Sequence, residues 1–243
     1  MRLLSFGGGV QTTALAVLLV RGEVAPVDHI VMSDTGGETP ETYAHVEVMA
    51  DYLKAHGLYL NVVAHPGETL EKWTLTRSTP IPIRTVDSFG QRQCTHNWKI
   101  EPVNRFAKLN GAKHLDLLLG ISLDEIYRMK PDQAKWITRH FPLIDLGLTR
   151  QDCLRIVAEA GLPEPPKSAC FFCPLQGADR WRWLNAEHPD LFARAEQLEV
   201  AINARAKKPT FLTSRLVPIR ELITAGGMLP GFETEECEGV CFV

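Results

Sequence analysis

Nothing in this 243-residue chain approaches the run of about 20 apolar residues that spans a bilayer; its longest apolar stretch covers residues 14–20. Charge of one sign is not in excess either. The 26 Lys and Arg stand against 29 Asp and Glu, a formal net charge of −3, which excludes a wholesale basic nucleic-acid footprint but allows a local patch. No repeat or low-complexity tract appears, and composition excludes collagen-like, coiled-coil and disordered chains. The opening MRLLSFGGG breaks into glycines after a few apolar residues, unlike a secretory signal. A cytoplasmic protein with no membrane association is expected. In that compartment disulfides do not normally persist, so the six cysteines need another explanation.

What is present suits a folded enzyme. At 45% hydrophobic residues, a chain this long buries roughly 70% of its unfolded surface and forms about one to two domains. Residues 3–6, 29–33, 58–63 and 115–119 read as short buried strands. Helical patterns over 12–21, 40–56 and 97–109 alternate with them, the first two stopping at Gly22 and Gly57. Thr149 and Asp152 form a variant capping box for a helix that stops at Gly161. Such alternation predicts an α/β fold, a doubly wound, mostly parallel sheet with helices on both faces and its ligand at the strands' carboxyl ends. Residues 179–206 read as one amphipathic helix, and the last 35 residues as a loose tail with a short helix near 219–224. The expected organisation is a nucleotide-binding catalytic domain over 1–174 and a mainly helical, cysteine-containing extension over 175–243.

The first strand runs directly into Gly7-Gly8-Gly9-Val10-Gln11-Thr12-Thr13. Glycines at a strand-to-helix turn let backbone N–H groups face an anion, and the helix N-terminus adds positive dipole. Thr12 and Thr13 can add hydroxyl donors. No Lys follows the glycines, so this is not a Walker A loop, and it is not GxGxxG. After the second strand, Asp34 and Thr35 fall where ribose or metal is usually met. Thr39-Pro40-Glu41 reads as an ordinary helix start, which makes Glu41 structural.

Cys170 and Cys173 form a CxxC flanked by Phe171 and Phe172. Two thiolates at this spacing can bite a cluster or a zinc ion, and the same pair can serve as a redox dithiol. Cys153 shares a helix face with Ile156, Val157 and Ala160 and reads as core. Cys237 and Cys241 lie in an acidic, glycine-containing tail. Acidic neighbours raise a thiol's pKa, which disfavours Cys237 as a resting nucleophile.

Five segments, in order over residues 5–174, resemble the PP-loop superfamily of adenine-nucleotide α-hydrolases, and within it the phosphoadenosine phosphosulfate reductase-like family. They are Ser5-Phe6 with Gly9-Val10-Gln11; Asp34-Thr35-Gly36 with Pro40-Glu41-Thr42; residues 94–105 (CTHNWKIEPVNR); residues 120–128 (GISLDEIYR); and residues 142–145 (PLID) with the later CxxC. Against the SGGxDS loop of ATP-cleaving relatives, Gly7 replaces the first Ser and Gln11 the Asp that would help hold magnesium.

The resemblance implies a PP-loop/HUP-like fold binding ATP with Mg²⁺ through Ser5, Gly7, Gly8, Gly9, Gln11, Thr12, Thr13, Asp34, Thr35 and Gly120. It places Lys99, Arg105 and Arg128 near phosphate or sulfate, with Lys99 and Arg128 stabilising developing charge. It adds Cys94 to Cys170 and Cys173 as ligands of a [4Fe–4S] cluster, zinc being the alternative, with Cys237, Cys241, His96 or no protein group as the fourth. The family's reductases carry a C-terminal catalytic cysteine; Glu236-Cys237 matches the start of that tail, leaving Cys237 and Cys241 as catalytic candidates.

Two activities then follow as expectations. One is ATP-dependent, AMP-forming activation of an acceptor for sulfur incorporation, with pyrophosphate release; the other is adenylyl-sulfate reduction releasing sulfite. The expected acceptor is nucleic acid, either tRNA or DNA phosphate. Arg180 to Arg220, interleaved with Trp181 and Trp183, can grip a backbone and stack bases, although Trp181 and Leu184 share a core-like face. A cysteine desulfurase or thioredoxin-like donor and a homodimer complete the expected partners.

Overall fold

The computed structural model describes residues 1–129 and 134–224; Cys237 and Cys241 lie outside them. Five strands form one sheet, β1 (Arg2–Ser5), β2 (His29–Asp34), β3 (Leu60–Ala64), β4 (Leu115–Leu119) and β5 (Ile137–His140), in the order β3-β2-β1-β4-β5. Every pairing is parallel, where the sequence pattern predicted a mostly parallel sheet. In register, Leu4 lies beside Ile30 and Leu118.

Successive strand residues point to opposite faces, so near-continuous apolar strands need helices on both. Leu4, Ile30, Met32 and Leu118 pack in one core with α1 (Val10–Arg21), α2 (Pro40–Ala55) and α6 (Arg150–Glu159). Leu3, Val31 and Leu115 pack on the other side against Val103 and Ala107 of α4 (Glu101–Leu109). Cys153 is fully buried in the first core, and burial pushes its thiol up to about 12. The capping box forms as expected: Thr149 accepts from the Asp152 amide, and Asp152 accepts from the Thr149 amide.

The structure departs from the predicted pattern at several elements. Residues 179–206 are two helices, α7 (Ala178–Glu187) and α8 (Pro189–Arg205), broken at His188. Pro189 removes a helical N–H and pushes its predecessor out of αR, and His188 sits at φ −135°, ψ 65°. The helix read over 97–109 starts earlier, as a π-helical turn over Thr95–Ile100 that runs into α4. The elements not predicted are α3 (Leu70–Thr76), the 3₁₀ turn over Leu123–Arg128, β5 and the one-turn α5 (Pro142–Asp145). β5 is a short, half-buried edge strand of sequence ITRH, with no apolar run to mark it.

A second core joins Leu70 and Ile81, Trp98, and Phe171 and Phe172 to Trp181, Leu184, Phe192 and Leu198 of α7 and α8. Residues 209–224, the described part of the stretch read as loose, are fastened to it. Both Glu199 carboxylate oxygens accept backbone N–H bonds, from Leu212 at 3.1 Å and Ile219 at 3.0 Å. The short α9 (Ile219–Thr224) follows.

Candidate active site

Strand order reverses between β1 and β4, so the glycine loop leaves β1 at the switch point of the sheet, where an α/β fold leaves a crevice. Gly9 is the N-cap of α1 and has no side-chain cap; a Cβ there would meet nothing within 4 Å. No side chain caps the first amides of α1, which suits an anion site. Gly8 takes a left-handed φ of +73°, which bends the chain into the helix at little steric cost.

The loop hydroxyls are otherwise engaged. Thr12 Oγ donates to the Gly9 carbonyl at 3.1 Å and accepts from the Gly7 amide at 3.3 Å, so it braces the turn. Thr13 is fully buried and hydrogen-bonded to His45 Nε2 at 2.9 Å; it faces α2 rather than the open end of the loop. The Gln11 amide accepts from Arg150 at 3.4 Å and donates to Ser122 at 3.5 Å. Gly120 has a packing reason to be glycine, since a Cβ would lie 2.7 Å from Thr12 Cγ2 and 3.0 Å from the Thr12 amide nitrogen.

The second loop is stitched to the CxxC. Asp34 spends one oxygen on the Gly36 amide at 2.7 Å and the Tyr43 hydroxyl at 2.9 Å. Thr35 Oγ lies 3.1 Å from Cys170 Sγ, and the Phe171 amide donates to the Gly37 carbonyl at 2.8 Å. Ser168 donates to the Gly7 carbonyl at 2.6 Å and to Glu38 at 3.5 Å. That one hydroxyl ties the glycine loop to the thiol segment.

Glu38 is the residue the sequence reading missed; it weighed Asp34, Thr35 and Glu41 in that loop. Glu38 is buried, with Lys99 Nζ at 3.9 Å and the Cys170 thiol donating toward Oε1 at 3.9 Å. Burial raises its carboxyl above the ordinary range, while the Lys99 charge opposes that rise. Lys99 itself is buried. Its π-helical turn is clamped by Ser33 Oγ, which donates to the Trp98 carbonyl at 2.7 Å, and by Trp98 Nε1, which donates to the Glu68 carbonyl at 3.2 Å. Glu41 is an ion-pair partner of His188 at 2.5 Å, in keeping with a structural role.

Other expected residues are dispersed. Arg128 is buried with Glu125 Oε2 at 2.5 Å from its guanidinium. Arg105 is exposed on α4. Ser5 and Lys99 share the walls of a small cleft with Asn104 and Arg139. Trp181 is fully buried and so offers no base-stacking face. Arg194 and Arg220 are occupied by Glu71 and Glu196, and Arg182 by Asp179.

Cys94, Cys170 and Cys173 are the described members of the expected cysteine ligand set. Cys170 is buried, and Cys94 and Cys173 are half-buried. Among the described residues no three His, Cys, Asp or Glu side chains converge as a metal site. Cys170 Sγ lies beside the Thr35 hydroxyl and the Glu38 carboxyl.

No protein-family model matches the sequence, and no curated protein is significantly similar to it. Among solved structures the chain is similar to phosphoadenylyl-sulfate reductase from Candida auris in a phosphate complex, at 17% identity, covering 68% of this chain and 74% of that one, with a TM-score of 0.49. It is also similar to the U34-tRNA thiolase NcsA from Methanococcus maripaludis with its [4Fe-4S] cluster, at 13% identity, covering 94% and 81%, with a TM-score of 0.44. What the chain itself presents is a doubly wound parallel α/β fold with an open glycine loop and a buried thiol–carboxyl–lysine group at the carboxyl ends of its strands.

Proposed function

We propose that this protein is an adenine-nucleotide-cleaving enzyme of the PP-loop type, which transfers AMP from ATP to an acceptor and so prepares it for sulfur incorporation, the acceptor being nucleic acid. One observation carries this reading. The uncapped N-terminus of α1 opens at the sheet's switch point, one hydroxyl (Ser168) away from the buried Glu38–Lys99–Cys170 group.

In this reading the amides of Gly8 to Gln11 receive the departing pyrophosphate, stabilised by the helix dipole. An acceptor oxygen attacks the α-phosphorus and pyrophosphate leaves. Lys99 lies against Glu38 in the resting site and stabilises charge developing on phosphate. Mg²⁺ enters with ATP, because Gln11 offers only a neutral amide already used by Arg150 and Ser122. The terminal sulfur of an external cysteine persulfide then attacks the activated acceptor centre and AMP leaves. Cys170, the thiol that faces Glu38, attacks the donor's inner sulfur, which releases the acceptor thiolate and leaves a Cys170–donor disulfide that a thioredoxin-like dithiol reduces.

Pyrophosphate release from ATP in the presence of unpaired RNA or DNA tests the reading. Lys99→Ala should lower kcat by about 10²-fold or more, the usual loss for a transition-state charge partner. Absence of pyrophosphate release with any nucleic acid would sink the proposal. A second reading, adenylyl-sulfate reduction, is favoured by the neutral Gln11 and the Asp34-Thr35-Gly36 segment. Sulfite release from adenylyl-sulfate with a thioredoxin-like reductant would establish it instead.

A further inference from the structure

The basic residues of the sequence are redistributed by folding. Those along α7 and α8 that were expected to grip nucleic acid are mostly consumed in ion pairs, with Trp181 in the core. A different set gathers where α3, the segment over 77–93 and the C-terminal end of α8 meet. Arg205, at the end of α8, donates to the Leu75 and Thr74 carbonyls of α3. Arg84 exchanges backbone hydrogen bonds with Phe211 at 3.0 and 2.9 Å. Lys208 pairs with Asp87 across the same junction at 2.6 Å.

Together Lys72, Arg77, Arg84, Arg205, Lys207 and Lys208 supply six positive charges to this face. Glu68 pairs with Lys72 and Arg77, and Asp87 with Lys208, so cations outnumber these carboxylate partners in a chain whose total is −3.

Two features say what such a face would receive. Guanidinium planes are laid over aromatic rings: Arg77 lies 4.6 Å from the Trp73 ring centroid and Arg84 4.5 Å from that of Phe89. Flat cations on rings both bind phosphate and offer a stacking surface to bases. Apolar exposure is confined to Val86, 75% exposed, and Phe89, 46% exposed, too little for a hydrophobic protein interface core.

The face also leads into the site. Trp73 meets Trp98 edge to face at 5.6 Å, and Trp98 precedes Lys99. The segment over 77–93 ends at Cys94, whose amide donates to the Pro80 carbonyl.

We infer that this face, α3 with residues 77–93 and the end of α8, is the docking surface for a single-stranded nucleic acid that presents its reactive group to the Lys99–Cys170 site. The inference rests on the nucleic-acid acceptor of the proposed function and adds where that acceptor lies. Phosphates would run along Arg77, Lys207 and Lys208, and an unpaired base would stack on Phe89.

Fluorescence anisotropy with labelled RNA and DNA strands of about 12 nucleotides, within the usual span of such sites, tests it on the full chain. With six contacts, log K should fall against log salt with a slope of about −4. The double variant Arg77→Glu/Lys207→Glu should weaken binding at least tenfold and flatten that slope, and Phe89→Ala should weaken it about fivefold or more. Lys54→Glu, an exposed charge reversal on α2, should leave binding unchanged, and thermal unfolding confirms that each variant is folded. Equal binding by wild type, the double variant and Phe89→Ala would overturn the docking surface while the acceptor reading stands. Failure of either strand to bind a wild-type protein that still binds a fluorescent ATP analogue would overturn the acceptor class, and the surface with it. A preference for RNA over DNA, or the reverse, that is lost in the double variant would support the surface and identify the strand.

Discussion

At Gly37 a side-chain methyl would lie 2.7 Å from Cε1 and 3.1 Å from Cζ of Phe172, a ring that is itself completely buried. The loop after β2 and the CxxC turn approach this closely because the Phe171 amide bonds the Gly37 carbonyl. Gly37→Ala should therefore destabilise the fold by about 1–3 kcal/mol, the usual cost of overpacking, read from the denaturant midpoint. A second single-residue expectation concerns His45. Burial lowers its pKa below the ordinary imidazole range, and Nδ1 has no hydrogen-bond partner among the described residues. The unfolded chain gains this proton first as pH falls, so the contribution of neutral His45 is fully present above about pH 6.5 and is lost below it. His45→Gln should flatten the decline of unfolding midpoint between about pH 7 and pH 5; an unchanged slope would refute the assignment. Neither residue stood out in the sequence. Gly37 was one glycine in a glycine-containing loop, and His45 one polar position on an amphipathic helix, because what makes each special is a neighbour 135 or 32 positions away.

Elements carried by local signals were legible, and those defined by edges were not. The first strand, its glycine loop and α1 follow from an apolar run, three glycines and Gly22, which caps α1 at φ +73°. α6 follows from its capping box and glycine stop. The split of α7 from α8 was also written in the chain, at Pro189, but the continuous apolar stripe through Trp181, Leu191 and Leu198 masked it. β5 and the π-helical turn had no local signature: one is a half-buried edge strand, the other a distortion imposed by the Ser33 and Glu68 contacts on Trp98. At this scale α8 carries a testable device. Glu199 is buried and satisfies the amides of Leu212 and Ile219 at once. Glu199→Ala would leave two buried N–H groups unpaired and should cost about 3 kcal/mol. Glu199→Gln keeps one carbonyl acceptor and should cost less, a ranking that urea melts can check.

Across the whole molecule, two cores divide the labour. One holds the sheet to α1, α2 and α6; the other buries Trp98, Phe171 and Phe172 under α7, α8 and α9. A chain ending at residue 174 would expose those three large side chains. It should lose cooperative unfolding and bind a hydrophobic dye, as apolar surface without cover does; a cooperative melt from it would show instead that the extension is dispensable. The alternation of apolar runs and capped helices already pointed to a mostly parallel α/β sheet with Gly7–Gln11 and Asp34–Thr35 at the carboxyl ends of its strands, since periodicity and glycine chemistry act over a few residues. Which side chains meet at that edge was settled by folding. The grouping of Glu38, Lys99 and Cys170, the withdrawal of Thr13 toward His45, and the gathering of Arg77, Arg84 and Lys208 on one face all join positions 32 to 132 residues apart. Buried charge must find its partner across the fold, and sequence spacing carries no record of that encounter.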